Sequence, residues 1–280
     1  MKLFDTRWLA VGALTRLGMA AAVLVLAGCA SGTGGAAAAA AQGGNKADIV
    51  TASDQPDVRR RASIRLELAV SYFSEGKTTF ALDELKQALV IDPTYAQAYN
   101  LRGLVYMRLN DLGLAEESFK RATALDPNDS GAVQNLGWMM CQSDRFDQAT
   151  EAFNRALANP RYSDRAKTYL TLGLCQAKAG HAEEAERSLT RSYELDAGNP
   201  ITGFNLASLL FKRGELVRAQ FYIRRLNNSE LANSESLWLG IRIERRLDNA
   251  VAMNQLAEQL RNRFAQSREL GLFERGAFDE

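Results

Sequence analysis

A chain of 280 residues with 46% hydrophobic and 24% charged side chains has the material for a sizeable core. Its 34 basic and 33 acidic groups nearly cancel, so no excess of positive charge announces a nucleic acid partner. A single histidine, His181, and three cysteines leave zinc clusters and histidine-based catalytic triads poorly supported, and no cofactor or metal is expected.

At the N-terminus, Lys2, Arg7 and Arg16 precede the apolar stretch Leu17 to Leu26, which runs into Ala27, Gly28 and Cys29. The stretch is too short for a bilayer crossing, which takes about 20 residues. Leu26-Ala27-Gly28-Cys29 resembles the lipobox of bacterial lipoproteins. The resemblance implies a signal peptide over residues 1–28 and a mature N-terminus at Cys29 carrying a thioether-linked diacylglycerol and an N-acyl chain. Two or more chains anchor stably where one does not. Ala30 follows the cysteine where an inner-membrane retention signal would have Asp, which points to the periplasmic face of the outer membrane. Removing the leader takes away Lys2, Arg7, Arg16 and Asp5, turning a formal charge of +1 into −1.

Residues 29–58 are Ala, Gly, Ser, Thr, Asn and Asp with few large apolar side chains, a composition that cannot build a core. Gly34-Gly35 and Gly43-Gly44 interrupt the alanine run, so this stretch reads as a flexible tether. A flexible chain of that length reaches roughly 30 Å.

Beyond it a period emerges. Ala81, Leu85, Ala88 and Pro93 recur as Ala115, Phe119, Ala122 and Pro127, and later units keep Ala149, Phe153 and Ala156, then Ala185 and Leu189, then Ala219 and Ile223. A small residue precedes each set at Ala69, Gly103, Gly137, Gly173 and Ala207, where helices can approach closely. Gly76, Asn110-Asp111, Asp144, Gly180 and Gly214 sit between two apolar-periodic segments and favour a helix stop. The spacing resembles the tetratricopeptide repeat. It implies an all-α, right-handed superhelical solenoid over residues 59–268. Helix pairs are predicted near 60–91, 94–125, 129–157, 163–195 and 200–227, with a degenerate sixth near 233–264. Neither face of a pair can bury itself alone, so stacking creates the core. The third unit lacks the closing proline position, Arg102 stands where the repeat has leucine, and residues 269–280 are expected to fray.

Glu75-Gly76-Lys77-Thr78-Thr79 contains the GKT of a phosphate-binding loop, but Ser71 occupies the earlier glycine position and the preceding segment is helical. Gly76 is therefore read as a helix stop. His181 follows the turn of the fourth unit beside Glu183 and Glu184 and is read as exposed, and no carboxylate pair is singled out for acid–base work. Neither a catalytic residue nor a small-molecule substrate is expected. Cys141 and Cys175 fall on neighbouring first helices of the tetratricopeptide register, and an oxidising periplasm permits a disulfide between them. The alternative is two buried free thiols.

In tetratricopeptide proteins the first helices line the concave surface, chiefly through positions 2, 5, 9, 12 and 13 of each unit. That register selects Leu66, Val70, Phe73, Leu104, Met107, Trp138, Leu170, Leu174, Phe204 and Phe211, with Asn100, Gln134, Asn135 and Asn205 among or beside them. Large aromatics supply contact area and amides can pair with a peptide backbone, so the expected ligand is a helix or extended segment with apolar anchors. No basic clamp for acidic C-termini stands out.

Ala98 to Tyr106, Asn135-Leu136-Gly137-Trp138 followed by Cys141, Gly173-Leu174-Cys175 and Trp238 to Ile243 together resemble the type IV pilus biogenesis and stability lipoproteins of the PilW/PilF type. Arg102 fits that group. The resemblance implies an outer-membrane-anchored, non-enzymatic scaffold that promotes assembly or localisation of the outer-membrane secretin, a pilotin role, with the secretin or other pilus assembly proteins as its partners. Two other classes share helical repeats and a lipid: an assembly lipoprotein of the barrel-insertion machinery, and an adaptor for cell-wall hydrolases.

Overall fold

The structure is a computed structural model that describes residues 56–279, and among these it contains helices and no strand. The expected signal peptide, the expected lipidation site Cys29 and nearly all of the expected tether lie outside the described residues. Six helix pairs follow one another: α1 (Asp57–Ser74) with α2 (Thr78–Ile91), α3 (Ala96–Arg108) with α4 (Leu112–Leu125), α5 (Ser130–Gln142) with α6 (Phe146–Leu157), α7 (Arg165–Lys178) with α8 (Ala182–Leu195), α9 (Pro200–Lys212) with α10 (Leu216–Asn227), and α11 (Ser234–Arg246) with α12 (Ala250–Arg263). Asp57 and Val58, assigned by composition to the tether, open α1 instead.

One left-handed residue ends the first helix of each pair: Gly76, Asn110, Asp144, Gly180, Gly214 and Asp248, with φ between 55° and 86°. Around Gly76 the Lys77 amide donates to the Tyr72 carbonyl at 2.8 Å and the Gly76 amide to Phe73 at 3.0 Å, satisfying carbonyls that the helix leaves orphaned. Gly76 is thus a helix stop, and Lys77 ion-pairs with Glu75 at 2.7 Å. Asn and Asp tolerate this conformation better than other non-glycine residues, which is why the period survives three losses of glycine.

Second helices start on side-chain caps where the sequence supplies them. Asp111 accepts from the Leu114 amide and Asn249 from the Ala252 amide. Between units, the carboxylates of Asp92, Asp126 and Asp196 each accept from a backbone amide two residues on. In the third unit Asn159 takes over that role, accepting from the Arg161 amide at 3.0 Å, and Pro160 follows it, so the closing proline is not lost but stands one residue earlier than the period places it.

Alanine and glycine at the pair interface set how closely the two helices lie. A Cβ added at Gly103 would stand 2.5 Å from Cε1 of Phe119, whose ring is fully buried. Gly103→Ala gains helix propensity but forces that ring or a helix to move, and we expect a net loss of about 1 to 3 kcal/mol. Urea unfolding followed by circular dichroism checks it, and an unchanged midpoint would mean that the ring relocates at no cost. Arg102, odd for a generic repeat, lies across the same pair, donating from Nε to Ser118 at 2.9 Å and pairing with Glu117 at 3.3 Å.

The C-terminal stretch does not fray. Ser267 caps a thirteenth helix, α13 (Arg268–Glu274), and Leu270 and Leu272 are buried against α11 and α12. Phe278 then stacks on Trp238 with ring centroids 5.4 Å apart, and the Arg245 guanidinium lies 3.9 Å from the Phe278 centroid. These contacts cover an apolar end that the last repeat would otherwise expose.

Candidate protein-binding groove

Successive first helices touch one another along the whole stack, α1 with α3, α3 with α5, and so on to α11, while successive second helices stand farther apart. That difference curves the solenoid with the first helices inside. Three kinds of contact fasten this inner face. Asn135 donates to Asn100 at 3.0 Å between α5 and α3. Cys141 and Cys175 are joined by a disulfide between α5 and α7, with Cα atoms 5.8 Å apart. The Lys178 ammonium donates to the Cys141 carbonyl at 3.2 Å, closing the same junction.

The residues selected by register divide by exposure. Val70 is the most open at 50%. Leu66, Phe73, Leu104, Met107, Trp138, Leu174 and Phe204 are half-buried, resting on the core below while part of each side chain stays accessible. Trp138 packs against the cluster that holds Cys141, Phe153 and Cys175.

Three expected contact residues are instead internal: Gln134 is 3% exposed, Leu170 7% and Phe211 7%. Phe211 was expected to be an open aromatic, yet Arg242 and Arg246 of α11 lie over its ring at 5.1 and 5.3 Å. Leu170 belongs to the cluster that α9 closes from the next unit. Position within a repeat fixes the direction of a side chain but not what the following unit lays over it. The amides are also partly engaged: Asn135 on Asn100, and Asn205 on the Ile201 carbonyl of its own helix at 2.8 Å. Both remain half-buried.

Cations along this face were not anticipated. The Arg108 guanidinium lies 3.7 Å from the Phe73 centroid and donates to the Phe73 carbonyl, and burial holds its pKa below the usual arginine value. His181 is exposed at the start of α8, before Glu183 and Glu184. Among the described residues no three His, Cys, Asp or Glu side chains gather as metal ligands would.

A buried carboxylate network lies outside the repeat pattern of the sequence. Glu244 of α11 is fully buried and accepts from Arg224 Nε at 2.7 Å, Arg224 Nη2 at 3.0 Å, Gln220 at 2.9 Å and Asn249 at 3.0 Å. The hydrogen bonds from Arg224 to Glu244 raise the Arg224 pKa above its ordinary value, and burial opposes them. Because all the acceptor capacity points inward to α10 and the α11–α12 turn, the network ties units five and six together and offers nothing to a substrate.

Family models described as TPR repeat and tetratricopeptide repeat match residues 71–110, 96–129 and 142–200. The type IV pilus assembly protein PilF of Pseudomonas aeruginosa is 26% identical over 209 residues, covering 75% of this chain and 83% of that protein. The solved structure of P. aeruginosa PilF superposes with a TM-score of 0.68 at 26% identity, covering 78% of this chain and 99% of that one. PilW, a widely conserved type IV pilus biogenesis factor, superposes at 0.71 with 29% identity, covering 76% and 98%. The chain is homologous to PilF and PilW. Coverage of nearly all of each solved chain means that the match to PilF and PilW spans the stack as a whole, including the inner face, rather than one or two generic repeats.

Proposed function

We propose that this protein is a scaffold of type IV pilus biogenesis. Lipid at Cys29 holds it at the periplasmic face of the outer membrane, and the inner face of its helix stack binds the secretin or a segment of its assembly machinery. The observation that carries the reading is the homology to PilF and PilW together with an inner face of half-buried apolar side chains centred on Trp138. Among the described residues no helix is long and apolar enough to cross a membrane, so the membrane attachment in this reading rests on Cys29.

Truncating a large aromatic at the centre of an interface costs about 2 kcal/mol or more, a weakening of roughly 30-fold, whereas rim changes do little. Trp138→Ala is therefore expected to deplete secretin multimers in cells, with exposed His181→Ala as the control. Helix content of the purified variants separates binding from folding. Wild-type multimer levels in the Trp138 variant would remove this face as the working surface, and lost helicity would return Trp138 to the core. Crosslinking should recover the secretin. Recovery of a barrel-assembly protein or a cell-wall hydrolase in its place would overturn the reading.

Cys29→Ser is expected to release the protein from outer-membrane fractions and abolish metabolic acyl labelling. Unchanged fractionation with unchanged labelling would refute lipidation at this residue.

A further inference from the structure

The last turn of each first helix carries a second regularity. At position 13 the units read Ser74, Arg108, Gln142, Lys178, Lys212 and Arg246, a row without a carboxylate in a chain whose acidic and basic residues are nearly equal. Three of the four cations reach back to position 12 of the preceding unit. Arg108 meets the carbonyl and ring of Phe73, Lys178 the carbonyl of Cys141, and Arg246 the ring of Phe211. Position 12 lies in the last turn of a first helix, where the macrodipole is negative, so every contact draws a cation to the same edge of the inner face.

Little neutralises this edge from within. Lys178 pairs with Asp144 at 2.8 Å, and Asp279 lies near Arg242, one turn before Arg246. Arg242 Nε is buried without a hydrogen-bond partner, while Lys212 and Arg246 are exposed. Contacts to helix ends and rings leave the formal charges of Lys212 and Arg246 in place, whereas that of Lys178 is shared with Asp144.

We infer that the groove selects an acidic amphipathic segment of its protein partner, with apolar side chains on the floor around Trp138 and carboxylates along Lys178, Lys212 and Arg246. This rests on the groove being the working surface. Charge complementarity along one edge sets the direction and register of the segment and speeds encounter, while the apolar floor supplies most of the contact.

The test uses the full-length protein and three 15-residue peptides that share a Leu/Trp face and carry Glu, Gln or Lys on the other face. Fluorescence polarisation should show the Glu peptide binding at least tenfold tighter than the Lys peptide, with the gap narrowing as salt rises. The double variant K178E/K212E should invert that order, and K178Q/K212Q, which removes charge without reversing it, should shrink the gap. Circular dichroism verifies the fold of each. Equal binding of the three peptides, with affinity lost in Trp138→Ala, would overturn the charge selection and leave the groove standing. No binding by any peptide would overturn both.

Discussion

Serine in place of Cys141 is expected to lower stability by about 3 kcal/mol, because the disulfide to Cys175 closes a loop with a sequence separation of 34 residues. At roughly 2 to 4 °C per kcal/mol for a folded region of this size, the melting temperature should fall by about 10 °C. The effect is local as well as global. A repeat stack holds together through nearest-neighbour contacts, so amide exchange should rise first in α5 and α7, where the bridge and the Lys178 to Cys141 hydrogen bond share one junction. Scanning calorimetry with and without reductant measures the shift, and non-reducing peptide mapping of protein isolated from cells tests the bond itself. Two alkylatable thiols in that sample would remove the bridge from the native state.

Removing the cation beside Glu244 should cost about as much. Arg224→Ala leaves a fully buried carboxylate with only Gln220 and Asn249 as donors, and breaking such a pair from one side costs about 3 kcal/mol or more. Arg224 is itself half-exposed, so what is lost is compensation of the buried charge rather than packing. Adding Glu244→Gln to the Arg224 variant should restore much of the stability, since a neutral amide needs no counter-charge there. Urea unfolding of the single and double variants decides it. A single variant with wild-type stability would show that water reaches the carboxylate.

The helix pairs were legible because their determinants are local. Small residues at Gly103, Gly137 and Gly173, and turn residues such as Asn110 and Asp144, act within one unit, and a single period displays them six times. The features that were missed depend on a neighbour. Phe211 reads as an open aromatic until α11 supplies Arg242 and Arg246. Glu244 reads as one surface acid among many until Arg224, Gln220 and Asn249 converge on it from α10 and the following turn. The α13 segment repeats nothing, so a search by period passes over it. Ser267 as an N-cap before Leu270, Leu272 and Phe273 was the local sign of a short amphipathic helix.

That short helix also makes the stack a ruler. A solenoid has no intrinsic length, since each unit presents to the next the same surface that its predecessor presented to it. Here the face on which a seventh pair would sit is occupied by Leu270, Leu272 and the Phe278 ring on Trp238. With helix axes about 8 to 10 Å apart, growth halts after six first helices, roughly 50 Å of inner face. That end therefore does not offer the bare apolar face on which a further repeat would stack, and the span of the inner face is set by the six units before it.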